Sequence, residues 1–208
     1  LWSDTTWTNV RRETRDIASC DRVLVISTDE QATLNARGVA HTLWQPPDVP
    51  LSDLPVRSAV GLVGSHSAFN REGLSWLAAA SDDASVRIRV YGSLAAHAEA
   101  DVFEAVGRYE TDDQPYAECG IMLMTTTLGM GVQVKTIEAL AAGRAIIARR
   151  GAMRGIPDGE GAWIEVDTPE AMLAEAARLL KDTEARETQG QRAHAYYRQH
   201  LDSIRLRS

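Results

Sequence analysis

Two glycines, a lysine and a glutamate lie in one short segment with a spacing that suits a phosphorylated ligand. Gly129 and Gly131 separate an apolar run from a helical pattern that carries Lys135 and Glu138. Glycines let backbone N–H groups approach a ligand, and the following helix directs its unpaired amides and positive dipole end towards it. Positions three apart share a helix face, which places a cation for phosphate beside a carboxylate for hydroxyl groups. The segment indicates a nucleotide site.

The same segment is also consistent with a purely structural role. Glycine turns between strands and helices are common, and a lysine and a glutamate at this spacing often form a surface pair. The segment matches neither common nucleotide motif, G-x-x-x-x-G-K-[ST] or G-x-G-x-x-G. The lysine comes four residues after the second glycine, and no third glycine follows at the required place. A dinucleotide-dependent oxidoreductase is therefore disfavoured.

Composition narrows the class of protein. The 208 residues are 44% apolar and 25% charged, as in ordinary globular proteins. A net charge of -7 argues against nucleic acid and anionic surfaces as partners. No apolar stretch is long enough to span a bilayer, and the N-terminus lacks a signal-peptide pattern. We expect a cytoplasmic protein without a transmembrane segment.

The sequence predicts neither a metal site nor a cofactor. Cys20 and Cys119 are far apart and stand outside any histidine pattern, so a zinc site and a disulfide framework are both disfavoured. The histidines show no metal-ligand spacing, and no Ser, His and Asp set can be assembled from the letters. The histidines are His41, His66, His97, His194 and His200.

Strands and helices alternate from residue 59 onward, which predicts a doubly wound parallel sheet of the α/β class. The predicted strands are 59–63, 86–91, 102–106, 120–125, 145–148 and 162–166. The predicted helices are 71–81, 93–100, 113–118, 132–142, a helix capped at Asp167 and ending near 180, and 184–202. Before them come a helical pattern at 5–18 and a single βα unit, made of a strand at 23–26 and a helix that ends at Gly38. A proline-rich stretch at 45–57 reads as a linker.

Glycines follow three of the predicted strands, in Gly64-Ser65, Gly92-Ser93 and Gly129–Gly131. In an open parallel sheet, ligands bind beyond the carboxyl ends of the strands, at the point where the strand order reverses. We expect these loops to border one ligand cleft.

The same segments resemble a known family. The letters G-x-G-x-x-x-K-x-x-E-A-L-A-A-G, from Gly129 to Gly143, are similar to the donor-binding C-terminal half of GT-B glycosyltransferases of group 1, the retaining family four. Val63-Gly64-Ser65 followed by Asn70, and the Tyr-Ala-x-Cys letters that begin at Tyr116, resemble the same family. The resemblance covers residues 58 to 200.

The resemblance implies a Rossmann-like C-terminal half of a GT-B fold with a remnant of the N-terminal domain. Residues 1–44 would be the last helix and βα unit of an acceptor-binding domain, and 45–57 the interdomain linker. Residues 58–183 would form the donor-binding domain, and 184–208 a C-terminal helix crossing back to the N-terminal half. Catalytic residues are expected in the missing part of the N-terminal domain.

The resemblance also implies roles for single residues. Glu138 would accept hydrogen bonds from the ribose hydroxyls, the glycine-loop amides would lie beside the diphosphate or sugar, and Lys135 would offer a charge, unless it is a solvated helix position. Arg149, Arg150 and Arg154 would form a solvated rim or neutralise phosphate. The donor-binding set is Gly64, Ser65, Gly92, Arg108, Tyr109, Leu128, Gly129, Met130, Gly131, Val132, Lys135 and Glu138.

Three positions depart from the family pattern. Ser65 stands where many relatives carry an arginine, Met130 where they carry a glutamate, and Gln133 where close relatives often have lysine. The family implies sugar transfer, with retention, from a UDP- or GDP-sugar to an unknown acceptor: a sugar, a lipid-linked sugar or a small molecule. A nucleotide-sugar epimerase and a non-catalytic nucleotide- or protein-binding module stay open as alternatives.

Overall fold

The computed structural model describes residues 12–49, 54, 57–80, 86–129 and 131–202. Eight strands are formed in this part of the chain: β1 (Val23–Val25), β2 (Thr42–Trp44), β3 (Ala59–Val63), β4 (Ile88–Tyr91), β5 (Phe103–Gly107), β6 (Cys119–Met124), β7 (Ala145–Arg149) and β8 (Ile164–Val166). The helices are α1 (12–18), α2 (Thr28–Ala36), α3 (Ala68–Ala78), α4 (Gln114–Glu118), α5 (Val134–Ala141), α6 (Pro169–Lys181) and α7 (Thr183–His200), and a 3-10 helix spans Ser93–His97.

The main sheet has six parallel strands in the order β5-β4-β3-β6-β7-β8. The chain moves outward from β3 to β4 and β5, returns to β6 beside β3, and then moves outward in the other direction. The strand order therefore reverses between β3 and β6. This arrangement confirms the predicted doubly wound parallel sheet.

Helices cover both faces of this sheet. All six residues of β6 are buried, and alternate side chains along a strand point to opposite faces. Ile121 and Leu123 pack in one apolar cluster with residues of α3 and α6, while Met122 and Met124 pack in the other with residues of α5 and α7. A strand buried on both faces explains the unbroken apolar run.

Polar caps set the start of several helices. The Ser67 hydroxyl accepts from the Asn70 amide at 3.3 Å, so α3 begins at residue 68 and not at 71 as predicted. Thr168, one residue after the predicted Asp167, caps α6 by accepting from the Ala171 amide at 3.2 Å. The predicted helix 93–100 is shorter, a 3-10 turn that ends at residue 97.

The N-terminal part is a βαβ unit and not the single βα unit predicted. The short strand β2 pairs in parallel with β1, with Leu24 opposite Leu43. Its three residues offered too little pattern for a prediction. Residues 5–11 of the predicted first helix and most of the predicted linker lie outside the described residues, so the predicted domain boundaries stay predictions.

The last long helix, α7, packs on α5 and β7 of the main sheet. Its path after residue 202 lies outside the described part of the chain, and the predicted return to the N-terminal half stays a prediction. Within the described residues, no helix is long and apolar enough to cross a membrane.

Candidate functional site

A cleft of about 560 Å³ opens at the carboxyl edge of the main sheet, where the strand order reverses between β3 and β6. The loops after β3, β4 and β6 supply its walls, as the three glycine-bearing loops predicted. Its lining includes Val63, Gly64, Ser65, Ser67, Phe69, Asn70, Gly92, Ser93, Tyr109, Thr126, Leu128, Gly129, Gln133, Val134, Lys135, Glu138 and Arg154.

The glycine loop leads from β6 into α5. Gly129 has a φ of +105° and Gly131 a φ of +72°, a region that side-chain-bearing residues rarely adopt. Gln133 is the N-cap residue of α5, but its side chain does not cap the helix. Its amide donates instead to the carbonyls of Thr126 at 2.8 Å and Ala152 at 3.0 Å. The first-turn amides of α5 therefore have no side-chain cap, and Gln133, Val134 and Lys135 line the cleft.

Glu138 projects from α5 into the cleft and is held by a tyrosine. The Tyr116 hydroxyl, from α4, donates to Glu138 Oε2 at 2.6 Å. Burial raises the pKa of Glu138 above its ordinary value, and the hydrogen bond from Tyr116 acts in the opposite direction. One carboxylate oxygen is thus occupied, while Oε1 and the remaining lone pairs can accept hydrogen bonds from a ligand's hydroxyl groups.

Lys135 lies on the floor of the cleft and is not a solvated surface residue. Its ammonium donates to Val63 O at 3.1 Å and Asn70 Oδ1 at 3.0 Å, and lies 3.4 Å from Thr126 Oγ1. Burial and the nearby Arg154 lower the pKa of Lys135 to about 8. All three acceptors are neutral, so the charge of Lys135 has no carboxylate bonded to it among the described residues.

Asn70 connects the loops that meet at the cleft. Its side-chain oxygen accepts from Lys135 Nζ and from Thr126 Oγ1 at 2.9 Å. Its side-chain nitrogen donates to the carbonyl and hydroxyl oxygens of Ser65, each at 3.1 Å. One amide thus ties the loop after β3 to the loop after β6 and to α5.

An aromatic residue and a glycine line the end of the cleft away from the glycine loop. Tyr109 lies there beside Gly92, and its ring meets the buried Tyr91 edge-on at 6.4 Å between centroids. Burial and nearby Glu138 raise the pKa of Tyr109. Arg108 lies outside the main cleft, in an adjoining hollow that shares Gly92 and Tyr109 with it.

The other predicted residues are placed as follows. Gly131 borders a second hollow shared with the N-terminal part, Val132 packs against the apolar core, and Met130 lies outside the described residues. The sequence indicated no site role for Asn70, Thr126 or Phe69. It gave Gln133 only as a departure from the family pattern, and Arg154 only as a solvated rim or a phosphate contact. No group of three or more potential metal ligands occurs among the described residues.

The sequence profile of the family "Glycosyl transferases group 1" matches residues 57–182, more than half of the chain. No curated protein is significantly similar to the chain in sequence.

Solved structures share the fold at low sequence identity. Anabaena HepE in complex with UDP is 14% identical, with a TM-score of 0.72 over 96% of this chain and 65% of that one. S. aureus TarM, in complex with Fondaparinux, alpha-GlcNAc-glycerol and UDP, is 16% identical, with a TM-score of 0.73 over 96% and 45%. Sucrose-phosphate synthase from Thermosynechococcus elongatus is 18% identical, with a TM-score of 0.70 over 99% and 62%. The chain spans less than two thirds of each of these proteins.

Proposed function

The chain belongs to the group 1 glycosyl transferases, and on this premise we propose that its cleft binds the nucleotide part of a UDP- or GDP-sugar. The sugar would be transferred to an acceptor with retention at the anomeric carbon, as the family resemblance implies. The acceptor in this proposal is a sugar, a lipid-linked sugar or a small molecule.

The observation that carries the proposal is the position of Glu138. Its carboxylate lies partly buried at the strand-order reversal, fixed by Tyr116 and three residues along α5 from Lys135. An ionised carboxylate accepts hydrogen bonds from two adjacent hydroxyl groups, which a ribose supplies. The aromatic end of the cleft near Tyr109 suits the base, and the glycine loop at the other side suits the phosphates.

The glycine-loop side of the cleft suits the departure of the nucleoside diphosphate as a leaving group. The first turn of α5 lacks a side-chain cap and lines the cleft, so its free amides and the positive end of the helix dipole would favour a diphosphate there, and Lys135 adds a full charge. Negative charge grows on the diphosphate as the bond to the sugar breaks. Fixed dipoles and cations at that place stabilise the transition state more than the bound donor.

Two of the similar structures contain UDP, which supports a uridine base for this chain as well. The proposal includes guanine equally. Among the described residues, those near Tyr109 offer an aromatic surface but no set of side chains that would select one base.

The test is an equilibrium titration of the chain with UDP, GDP, ADP and NAD⁺ by calorimetry. We expect saturable binding of UDP or GDP, and no binding of NAD⁺. The Glu138→Ala variant should bind the preferred nucleotide at least about tenfold more weakly, since charge-assisted hydrogen bonds are lost. Glu160→Ala, at an exposed carboxylate outside the cleft, is the matched control and should bind like the parent.

Product analysis with UDP- and GDP-sugars, on a protein that joins this chain to the expected acceptor-binding domain, separates the reactions. A glycoside and free nucleotide support the proposal. Free nucleotide with a released 2-epimer of the sugar identifies an epimerase instead. If the parent chain binds none of the nucleoside diphosphates, the proposed function is wrong.

A further inference from the structure

Arg149 is the last residue of β7, Arg150 and Arg154 lie in the loop after it, and the surroundings of the three arginines differ. Arg149 is bonded to Glu72 at 2.8 Å, and Arg150 forms a two-point pair with Asp167 at 2.5 and 3.1 Å. Arg154 forms no ion pair with a carboxylate within the part of the chain that the structure describes.

Arg154 reaches the glycine loop itself. Its Nη1 donates to Thr126 O at 3.1 Å and its Nη2 to Leu128 O at 2.6 Å. Nη2 lies 3.1 Å from the place that a side-chain carbon would take on Gly129. The guanidinium therefore lies against the backbone that we propose for the phosphates.

Arg154 keeps donor capacity for a ligand, whereas Lys135 does not. A guanidinium carries five N–H hydrogens, and the two bonds to carbonyls use two of them, one on each terminal nitrogen. One hydrogen on each terminal nitrogen is left, and the buried Nε has no hydrogen-bond partner among the described residues. The three hydrogens of Lys135 face Val63 O, Asn70 Oδ1 and Thr126 Oγ1.

The charges around the cleft are unbalanced. Its charged lining residues among those described are two cations, Lys135 and Arg154, and one carboxylate, Glu138. Burial lowers the pKa of Lys135, and repulsion from the nearby Arg154 lowers it further. Burial likewise lowers the pKa of Arg154, and the charge of Asp29 offsets this only in part. An anion bound at the glycine loop would relieve both effects.

We propose that Arg154 is the residue that contacts the diphosphate of the nucleotide donor directly, while Lys135 acts through its charge from beneath. The planar guanidinium suits two phosphate oxygens at once. This inference rests on the proposed function, because it names a contact within the same site.

The test compares Arg154→Gln and Arg154→Lys with the parent chain and with Arg192→Gln, an exposed arginine on α7. Ligands are UDP and GDP, the matching nucleosides followed by NMR, and inorganic pyrophosphate as competitor. We expect Arg154→Gln to bind the preferred diphosphate roughly 10- to 100-fold more weakly, the range expected for hydrogen bonds to charged groups. Nucleoside binding should stay unchanged, and Arg154→Lys should recover part of the loss.

Arg154 also holds two loop carbonyls, so its loss changes the loop as well as any contact with the ligand. The dependence of diphosphate affinity on salt distinguishes a direct contact from this structural role. We expect the affinity of the parent for the diphosphate to fall more steeply with added salt than that of Arg154→Gln. Equal affinity, or equal salt dependence in both proteins, overturns the inference and leaves the proposed function standing. If the parent binds neither UDP nor GDP, both are wrong.

Discussion

The Tyr116 hydroxyl donates to Glu138 Oε2 at 2.6 Å, and this bond joins the short helix before β6 to the helix after it. The two residues are 22 positions apart in sequence. The bond fixes one carboxylate oxygen of Glu138 and leaves the other able to accept hydrogen bonds from a ligand. Tyr116 is therefore a positioning residue for the carboxylate. Its own pKa lies well above the ordinary value, mainly because of burial, so it stays a donor across the working pH range.

We expect Tyr116→Phe to move the acid limb of nucleotide binding to higher pH. Binding through Glu138 needs the ionised carboxylate, whose pKa burial raises and the Tyr116 hydrogen bond lowers. Without the hydroxyl the pKa of Glu138 rises further. As the pH falls, the variant should therefore lose affinity at a higher pH than the parent does. The measurement is the dissociation constant of the preferred nucleotide as a function of pH.

The same variant should lower the free energy of unfolding by about 1 kcal/mol, the usual net value of a hydrogen bond. Tyr197→Phe, a partly buried tyrosine on α7 outside the cleft, is the control and should leave the pH profile unchanged. A pH profile of Tyr116→Phe that overlays the parent profile would remove Tyr116 from this role.

A second prediction concerns the alkaline side. Burial and the nearby Arg154 lower the pKa of Lys135 to about 8. A bound diphosphate favours the charged amine, so binding takes up a proton above that pH. Affinity should therefore fall as pH rises from about 8, by up to tenfold per pH unit for a single linked proton.

Lys135→Gln should bind more weakly at pH 7 and lose this alkaline dependence. Lys181→Gln, at an exposed position on α6, should keep both the affinity and the pH dependence of the parent. A parent affinity that does not change between pH 7 and 9.5 would contradict a role for the Lys135 charge.

The glycine loop gives a third prediction, for Gly129→Ala. Gly129 has a φ of +105°, and an added Cβ would lie 3.1 Å from Arg154 Nη2 and 3.4 Å from Phe69 Cδ2. The substitution should therefore both strain the backbone and displace the guanidinium. We expect a loss of about 1–3 kcal/mol in the free energy of unfolding and weaker nucleotide binding.

Gly161→Ala separates the two effects. Gly161 has a φ of +77° and open space where its Cβ would lie, in a turn outside the cleft. It should lose comparable stability in thermal or urea unfolding and bind nucleotide like the parent. Equal binding by Gly129→Ala and Gly161→Ala would show that the loop does not contact the ligand.

The sheet and the cleft edge were predictable from sequence because they depend on local patterns. The apolar run at 119–124 needs a strand buried on both faces, and glycines after β3, β4 and β6 mark the ends where a ligand cleft forms. The periodicity of α5 also placed Lys135 and Glu138 on one face, and both line the cleft.

The contacts that define the site were not predictable in the same way. Asn70 meets Lys135 across 65 positions, and Arg154 meets Thr126 across 28. Such pairs depend on strand order and loop path, which periodicity does not encode. The three-residue strand β2 was missed because short, half-exposed segments carry too few alternating positions.

The most direct test of the central claim is whether Glu138 recognises the ribose hydroxyls. The preferred nucleoside diphosphate and its 2′,3′-dideoxy form are titrated against the parent and Glu138→Gln. We expect the parent to bind the ribose form at least about tenfold more tightly than the dideoxy form. In Glu138→Gln that difference should shrink to near unity, with both ligands bound about as weakly as the dideoxy form to the parent. A parent that binds both forms equally, or a variant that keeps the full preference, would contradict the account.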